Sequence, residues 1–138
     1  MASILNPYLS FDGNAREAME FYHRVFGGEL SLNTFADFGM ADDPDADRIM
    51  HGQLETANGM TLMGADIMSS MEFRPGNTFT ISLSGDDAEV IRGWWEQLSE
   101  DGTVTTPLAR QVWGADYGAC VDRFGVAWLV NIAAPDEA

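Results

Sequence analysis

Hydrophobic and polar positions along this 138-residue chain recur with two different periods. Leu5–Phe11 is a short apolar run bounded by turn residues, which predicts a strand. Asp12-Gly13-Asn14 interrupts it. Ala15, Ala18, Met19, Tyr22, Val25 and Phe26 then follow at helical spacing. Asn14 with Glu17 three residues later matches a capping box, and Gly27-Gly28 supplies the stop. Glu29–Phe35 predicts a second strand, and the acidic stretch Asp37–Arg48 a loop. Ile49–Thr56 and Met60–Ile67 read as two strands joined at Asn58-Gly59, since that dipeptide suits a two-residue type I′ turn. Such a turn pairs Leu54 with Met63, Gln53 with Gly64 and His51 with Asp66. It puts Met50, Gly52, Leu54, Met63 and Ala65 on one face. His51, Gln53, Glu55, Leu62, Gly64 and Asp66 then share the other.

The second half of the chain echoes the first. After a loop at Met68–Gly76 comes a strand, Asn77–Ser84, and Leu83-Ser84-x-Asp86 repeats Leu9-Ser10-x-Asp12. Asp86 and Glu89 form another possible capping box. Val90, Ile91, Trp94, Trp95 and Leu98 make a second helical stripe, and Gly102 answers to Gly28. Strands follow at Thr103–Thr106, Ala119–Asp122 and Ala127–Ile132. The order is βαβββ twice, in modules of about 3–68 and 77–134. Each is too small to bury a core alone, so one α+β domain is expected.

Composition narrows the chemistry. The chain has 46% hydrophobic residues, enough for a core, and 22 acidic against 7 basic residues, a net charge of −15. All seven basic residues are arginine, which removes Schiff-base lysine chemistry and the P-loop lysine. So acidic a chain is a poor partner for nucleic acid or an anionic membrane surface. A single cysteine, Cys120, excludes an intrachain disulfide and fits a reducing cytoplasm. Cys120 itself reads as a small buried hydrophobe. No basic n-region or long apolar run is present, so neither a signal peptide nor a membrane helix is expected. Asp43-Pro44-Asp45-Ala46-Asp47 imitates a calcium loop, but Arg48 occupies the glycine position and no bidentate Glu follows, leaving a lid or a solvated loop.

The order and spacing of several stretches resemble a family. They are Leu5-Asn6-Pro7-Tyr8-Leu9-Ser10-Phe11, Ala18-Met19-Glu20-Phe21-Tyr22, Val25-Phe26-Gly27-Gly28, Ile49-Met50-His51, Leu62-Met63-Gly64-Ala65-Asp66 and Ser82-Leu83-Ser84-Gly85-Asp86-Asp87. Trp113-Gly114, Tyr117-Gly118 and Asp122-Arg123-Phe124-Gly125-Val126-Ala127-Trp128 complete the set. In these the chain resembles PhnB-like members of the vicinal oxygen chelate superfamily, which holds glyoxalase I, bleomycin-resistance proteins and extradiol dioxygenases. The resemblance implies a glyoxalase-like fold, its mostly antiparallel strands curling around a small-molecule cavity, in a homodimer. It also implies a divalent metal held by His and Glu, acting as a Lewis acid. The matching positions here are Pro7, Gly64, Thr80 and Leu129, a set without an imidazole or a carboxylate, so no metal cofactor is expected. The methyltransferase label some relatives carry finds no glycine-rich nucleotide turn in this sequence.

Two functions remain open: an enzyme-like cavity of unknown substrate, or a non-catalytic sequestering protein of the bleomycin-resistance kind. His51 and Asp66 are the candidate catalytic pair, the carboxylate orienting an imidazole base, unless they are a purely structural hydrogen-bonded pair. Gln53, Glu55 and Thr80 are candidate polar ligand contacts. Trp113 and Tyr117, with Tyr8 and Phe11, are candidate apolar walls, with core or dimer packing as the alternative. His23 reads as a helix-surface residue.

Overall fold

Both halves of the chain fold as strand, helix and three strands, an α+β architecture. The computed structural model describes residues 3–134, and contacts divide the chain into a unit ending at Pro75 and a unit beginning at Gly76. The first contains β1 (Tyr8–Phe11), α1 (Ala15–Phe26), β2 (Glu29–Thr34), β3 (Ile49–Glu55) and β4 (Thr61–Asp66). The second contains β5 (Ile81–Gly85), α2 (Ala88–Ser99), β6 (Thr103–Arg110), β7 (Asp116–Val121) and β8 (Ala127–Ile132). The strands form two four-stranded sheets, ordered β1-β4-β3-β2 and β5-β8-β7-β6. In each, the first strand lies parallel to the last and the other pairs are antiparallel. Among the described residues no helix is long and apolar enough to cross a membrane.

In the first unit the stripe of α1 buries as its spacing predicts: Ala15, Ala18, Met19, Tyr22, Val25 and Phe26 are all in the core. Met19 lies over Gly52 and Gly64, which face each other across β3 and β4. A Cβ on Gly64 would come within 3.0 Å of the Met19 sulfur and 3.1 Å of Phe11. The pair therefore lets the helix settle close to the sheet. Phe11, 1% exposed, belongs to this core and is not a pocket wall. Gly28 sits so tightly on β3 that a Cβ would overlap the Glu55 carbonyl, and its φ of 94° suits only glycine.

The hairpin departs from the expected register. Gly52 pairs with Gly64, Gln53 with Met63, Leu54 with Leu62 and Glu55 with Thr61. Asn58 does not adopt the positive φ a type I′ turn requires; only Gly59 does, at 85°. Gly59 N–H instead bonds the Thr56 carbonyl, and Thr56 N–H bonds the Met60 carbonyl at 2.8 Å. The Thr56 hydroxyl accepts from Met60 N–H at 2.9 Å and donates to the Asn58 side chain. The connection is one residue longer than expected, so β4 slips by one and its faces exchange. Leu62, Gly64 and Asp66 turn beneath α1, while Thr61, Met63 and Ala65 join His51, Gln53 and Glu55 on the opposite face.

Asp66 is consequently a buried clamp. Its carboxylate accepts backbone N–H bonds from Gly13 at 2.8 Å, Ala15 at 3.0 Å and Ile49 at 2.9 Å. It thus ties the turn before α1, the first helical residue and the start of β3 to the end of β4. The capping box expected at Asn14 and Glu17 is not used, because Asn14 makes no side-chain cap. Arg48 reinforces the same corner, donating to Asp12 at 3.0 Å and to the Ile67 carbonyl at 2.9 Å.

The second unit repeats the plan with different side chains. Ile91, Trp95 and Leu98 of α2 are buried, as are Trp128, Val130 and Cys120 of the sheet, whereas Val90 is 42% exposed. The cap is Asp87, whose side chain accepts from Val90 N–H, one residue beyond the expected Asp86. The turn Asp122–Val126 copies Thr56–Met60, with Gly125 in place of Gly59. There the Asp122 carboxylate accepts from Phe124 N–H, Val126 N–H and the Trp128 indole. Strand β6 runs on to Arg110 past two irregularities and Pro107, which an edge strand tolerates.

Replacing Asp66 by Ala leaves three backbone donors without their partner. Stability is expected to fall by about 2–4 kcal/mol. Denaturant unfolding monitored by the tryptophans measures it, and a loss below about 0.5 kcal/mol would contradict the clamp.

Candidate functional site

The open face of the first sheet carries a polar row on β3. His51, Gln53 and Glu55 alternate outward because Gly52 and Leu54 are drawn beneath α1. Across the β2–β3 ladder, Asn33 stands opposite His51, Ser31 opposite Gln53 and Glu29 opposite Glu55. All of these but Asn33, together with Leu30, line a hollow of about 350 Å³. The Tyr8 ring lies on the same face, 6.1 Å from the His51 ring.

The row is a continuous hydrogen-bond chain. Thr61 Oγ1 donates to Glu55 Oε2 at 2.8 Å, Gln53 Nε2 donates to Glu55 Oε1, and Gln53 Oε1 faces His51 Nε2 at 3.2 Å. The bond from Gln53, and then that from Thr61, holds the Glu55 carboxyl below the usual carboxylate range. The face thus offers an imidazole, an ionised carboxylate and a second carboxylate from Glu29. Among the described residues no arginine lines the hollow.

Of the expected site residues, His51, Gln53 and Glu55 come together and Asp66 does not join them. The expected His51–Asp66 contact is replaced by His51–Gln53, since the register slip sends Asp66 to the helix side. Thr80, Trp113 and Tyr117 belong to the second unit. Thr80 is exposed just ahead of β5. The Trp113 and Tyr117 rings meet edge to face at 6.3 Å, and Trp113 is 56% exposed at the turn before β7. In that unit the positions equivalent to His51, Gln53 and Glu55 hold Tyr117, Ala119 and Val121, so no second polar row forms.

Sequence reasoning missed Asp116. This carboxylate, at the start of β7, accepts from Arg110 Nε at 2.7 Å and from Arg92 of α2. It braces the turn that presents Trp113. Its partners are Arg110, six residues earlier on the neighbouring strand, and Arg92, 24 residues earlier on α2, a combination that no single-element periodicity exposes. The Arg110 hydrogen bond, against partial burial, holds the Asp116 carboxyl below its ordinary range, and the charges of Arg110 and Arg92 act in the same direction. The Asp37–Arg48 loop is pinned in a comparable way. A short 3-10 turn at Ala36–Phe38 leads into it, and Asp45 accepts from Ser69 N–H at 2.9 Å beside Arg48. His23 lies at the end of α1 with Nε2 2.8 Å from the Gly28 carbonyl, a helix-closing role.

Pro7, Gly64, Thr80 and Leu129 are the positions expected to match the superfamily's metal ligands. Pro7 and Leu129 lack donors, Thr80 offers one neutral hydroxyl, and Gly64 is packed under Met19. Among the described residues no three His, Cys, Asp or Glu side chains gather to hold one. Cys120 is buried, and burial first, then the Asp122 charge, pushes its thiol up to about 11.

Comparison with known proteins agrees with this architecture. The profile of the 3-demethylubiquinone-9 3-methyltransferase family matches residues 3–131. The structure of protein PA1353 from Pseudomonas aeruginosa shares 35% identity, covering 96% of this chain and 98% of that one, with a TM-score of 0.81. A structure described as a putative 3-demethylubiquinone-9 3-methyltransferase, PhnB protein, from Bacillus cereus aligns at 24% identity and TM-score 0.72, over 95% and 100% of the two chains. A glyoxylase/bleomycin resistance protein/dioxygenase domain from Frankia sp. EAN1pec shares the fold at 13% identity and TM-score 0.64, over 97% and 99%.

Two measurements probe these side chains. Because the Asp116 carboxyl is lowered in the folded state, it stabilises the fold above the unfolded value near 3.8. That contribution disappears as pH falls through the folded value. Wild type and Asp116→Asn should therefore differ in melting temperature at about pH 6 and converge toward about pH 2; a constant gap would contradict the ion pairs. Cys120 should resist a thiol reagent at about pH 7.5 in the native protein and react only after denaturation; rapid native labelling would contradict its burial.

Proposed function

We propose a small-molecule-binding role, from the premise that this chain belongs to the 3-demethylubiquinone-9 3-methyltransferase family of PhnB-like proteins and has the glyoxalase/bleomycin resistance/dioxygenase superfamily fold. The ligand sits on the open face of the first sheet. His51 is its proton acceptor, and Glu55, Glu29 and Tyr8 border it. The observation that carries the reading is the outward row His51-Gln53-Glu55 beside the hollow. Three hydrogen-bonded polar side chains on one strand are ordered before a ligand arrives, so less side-chain entropy is lost on binding.

The chemistry that fits is proton transfer by His51 to or from a bound molecule, in a protein that functions without a divalent ion. Support for the last point comes from the donor set at Pro7, Gly64, Thr80 and Leu129. A second reading, sequestration without turnover, is favoured by one feature. The nearest partners of His51 are an amide and an aromatic ring, neither an activated nucleophile. In both readings the protein acts as a homodimer.

Native mass spectrometry of freshly purified protein, with elemental analysis of the same sample, reports dimer, ligand and metal together. The expected result is a dimer with an organic ligand and no stoichiometric metal; stoichiometric zinc, nickel or manganese would overturn the metal-free reading. With the ligand in hand, His51→Ala should abolish its stabilising thermal shift while leaving the unliganded melting temperature within about 2 °C. An unchanged shift would remove His51 from the site.

A further inference from the structure

The direction of the hydrogen-bond chain on β3 determines which nitrogen of His51 carries the proton. An ionised Glu55 can only accept. Its Oε2 takes the Thr61 hydroxyl and its Oε1 takes the Gln53 amide N–H. Committing its NH2 group to Glu55 leaves Gln53 only its carbonyl oxygen to present to His51, and that oxygen also only accepts. His51 Nε2 must then be the donor. In the neutral ring Nδ1 is left as the acceptor, and none of the hydrogen bonds found among the described residues uses it.

We infer that Glu55 is a positioning residue that acts through Gln53 to hold His51 as the Nε2–H tautomer, offering Nδ1 to the ligand. This deepens the proposed site and rests on His51 facing the ligand. It has a consequence for specificity. A neutral His51 presents an acceptor, so the ligand group placed against it carries a hydroxyl or an N–H. A bare carbonyl oxygen there would meet a lone pair and be rejected unless the ring first took up a proton. Proton uptake at Nδ1 leaves the Nε2–H to Gln53 bond in place, so the base can cycle without any amide rotating. Uptake at Nε2 would require the whole chain to invert.

Ring nitrogen NMR on uniformly 15N-labelled, unliganded protein at about pH 9, above the ordinary histidine range, reads the tautomer directly. His23, held at the end of α1, serves as the internal control for folding. Wild type should show His51 as Nε2–H. Gln53→Glu keeps an acceptor beside the ring and should leave that signature unchanged. Glu55→Lys puts a donor where Glu55 accepted, which turns the Gln53 NH2 group toward His51. The ratio of Nε2–H to Nδ1–H should then fall at least tenfold, with the His23 signals unmoved. Glu55→Gln, which preserves size, should lower the ratio in the same direction and serves if the lysine variant folds poorly. A wild-type His51 that is mainly Nδ1–H, or a tautomer indifferent to Glu55→Lys and Glu55→Gln, would overturn the inference. No ligand enters this experiment, so its failure is separable from the loss of ligand binding in His51→Ala that tests the site itself.

Discussion

The turn from Thr56 to Met60 decides which side chains meet in the first unit. A β-hairpin has only two face assignments, and the parity of its connection selects between them. Here one threonine hydroxyl, accepting from Met60 N–H, and one glycine with φ of 85° select the longer connection. Everything downstream on β4 follows. Asp66 is carried under α1, where three backbone N–H groups converge on it, and Met63 and Ala65 are carried to the open face. In the opposite parity Asp66 would stand beside His51, and the helix start and the head of β3 would lose their common acceptor. A buried carboxylate is tolerable only with such bonds, so register and clamp are mutually consistent.

The second unit builds the same turn by other means and reaches a different surface. Asp122 replaces Thr56, and it satisfies two turn N–H groups and the Trp128 indole at once. Gly102, like Gly28, abuts the end of the central hairpin so closely that a Cβ would strike backbone, and Gly118 sits against Trp95 as Gly52 sits against Met19. These shared contacts are the physical content of the repeat. The outward positions have diverged. His51, Gln53 and Glu55 form a linked polar row, whereas Tyr117, Ala119 and Val121 form none. The second unit spends its charged groups on bracing, with Asp116 between Arg92 and Arg110 next to the exposed Trp113. Five of the 22 acidic residues have distinct structural settings: clamps at Asp66 and Asp122, an ion pair at Asp116, a loop anchor at Asp45, and a hydrogen-bonded carboxylate in the polar row at Glu55.

Much of this was legible along the chain because its causes are local. The stripe of α1, the βαβββ order, the outward alternation of His51, Gln53 and Glu55, and the buried state of Cys120 all follow from side-chain periodicity within one element. The register that separates His51 from Asp66 was not, because it depends on the backbone angles at Asn58, where an Asn-Gly dipeptide serves more than one turn type. The Asp116 ion pairs escaped for a related reason, since Arg92 and Arg110 reach it from separate elements. The helix caps fell between these cases. Side-chain spacing suggested Asn14 and Asp86, but packing brought Asp66 to the first helix and moved the second cap to Asp87.

By itself, then, the sequence determined the element order, the repeated module, the family resemblance and the three residues of β3 that point away from the core, since each depends on neighbours a few positions apart. Only the tertiary structure decided what those three residues face. Hydrogen bonds around Thr56 and Gly59 set the strand register, and register is a relation between strands that neither strand encodes alone. It made Asp66 a clamp and left His51 to the chain of Gln53, Glu55 and Thr61.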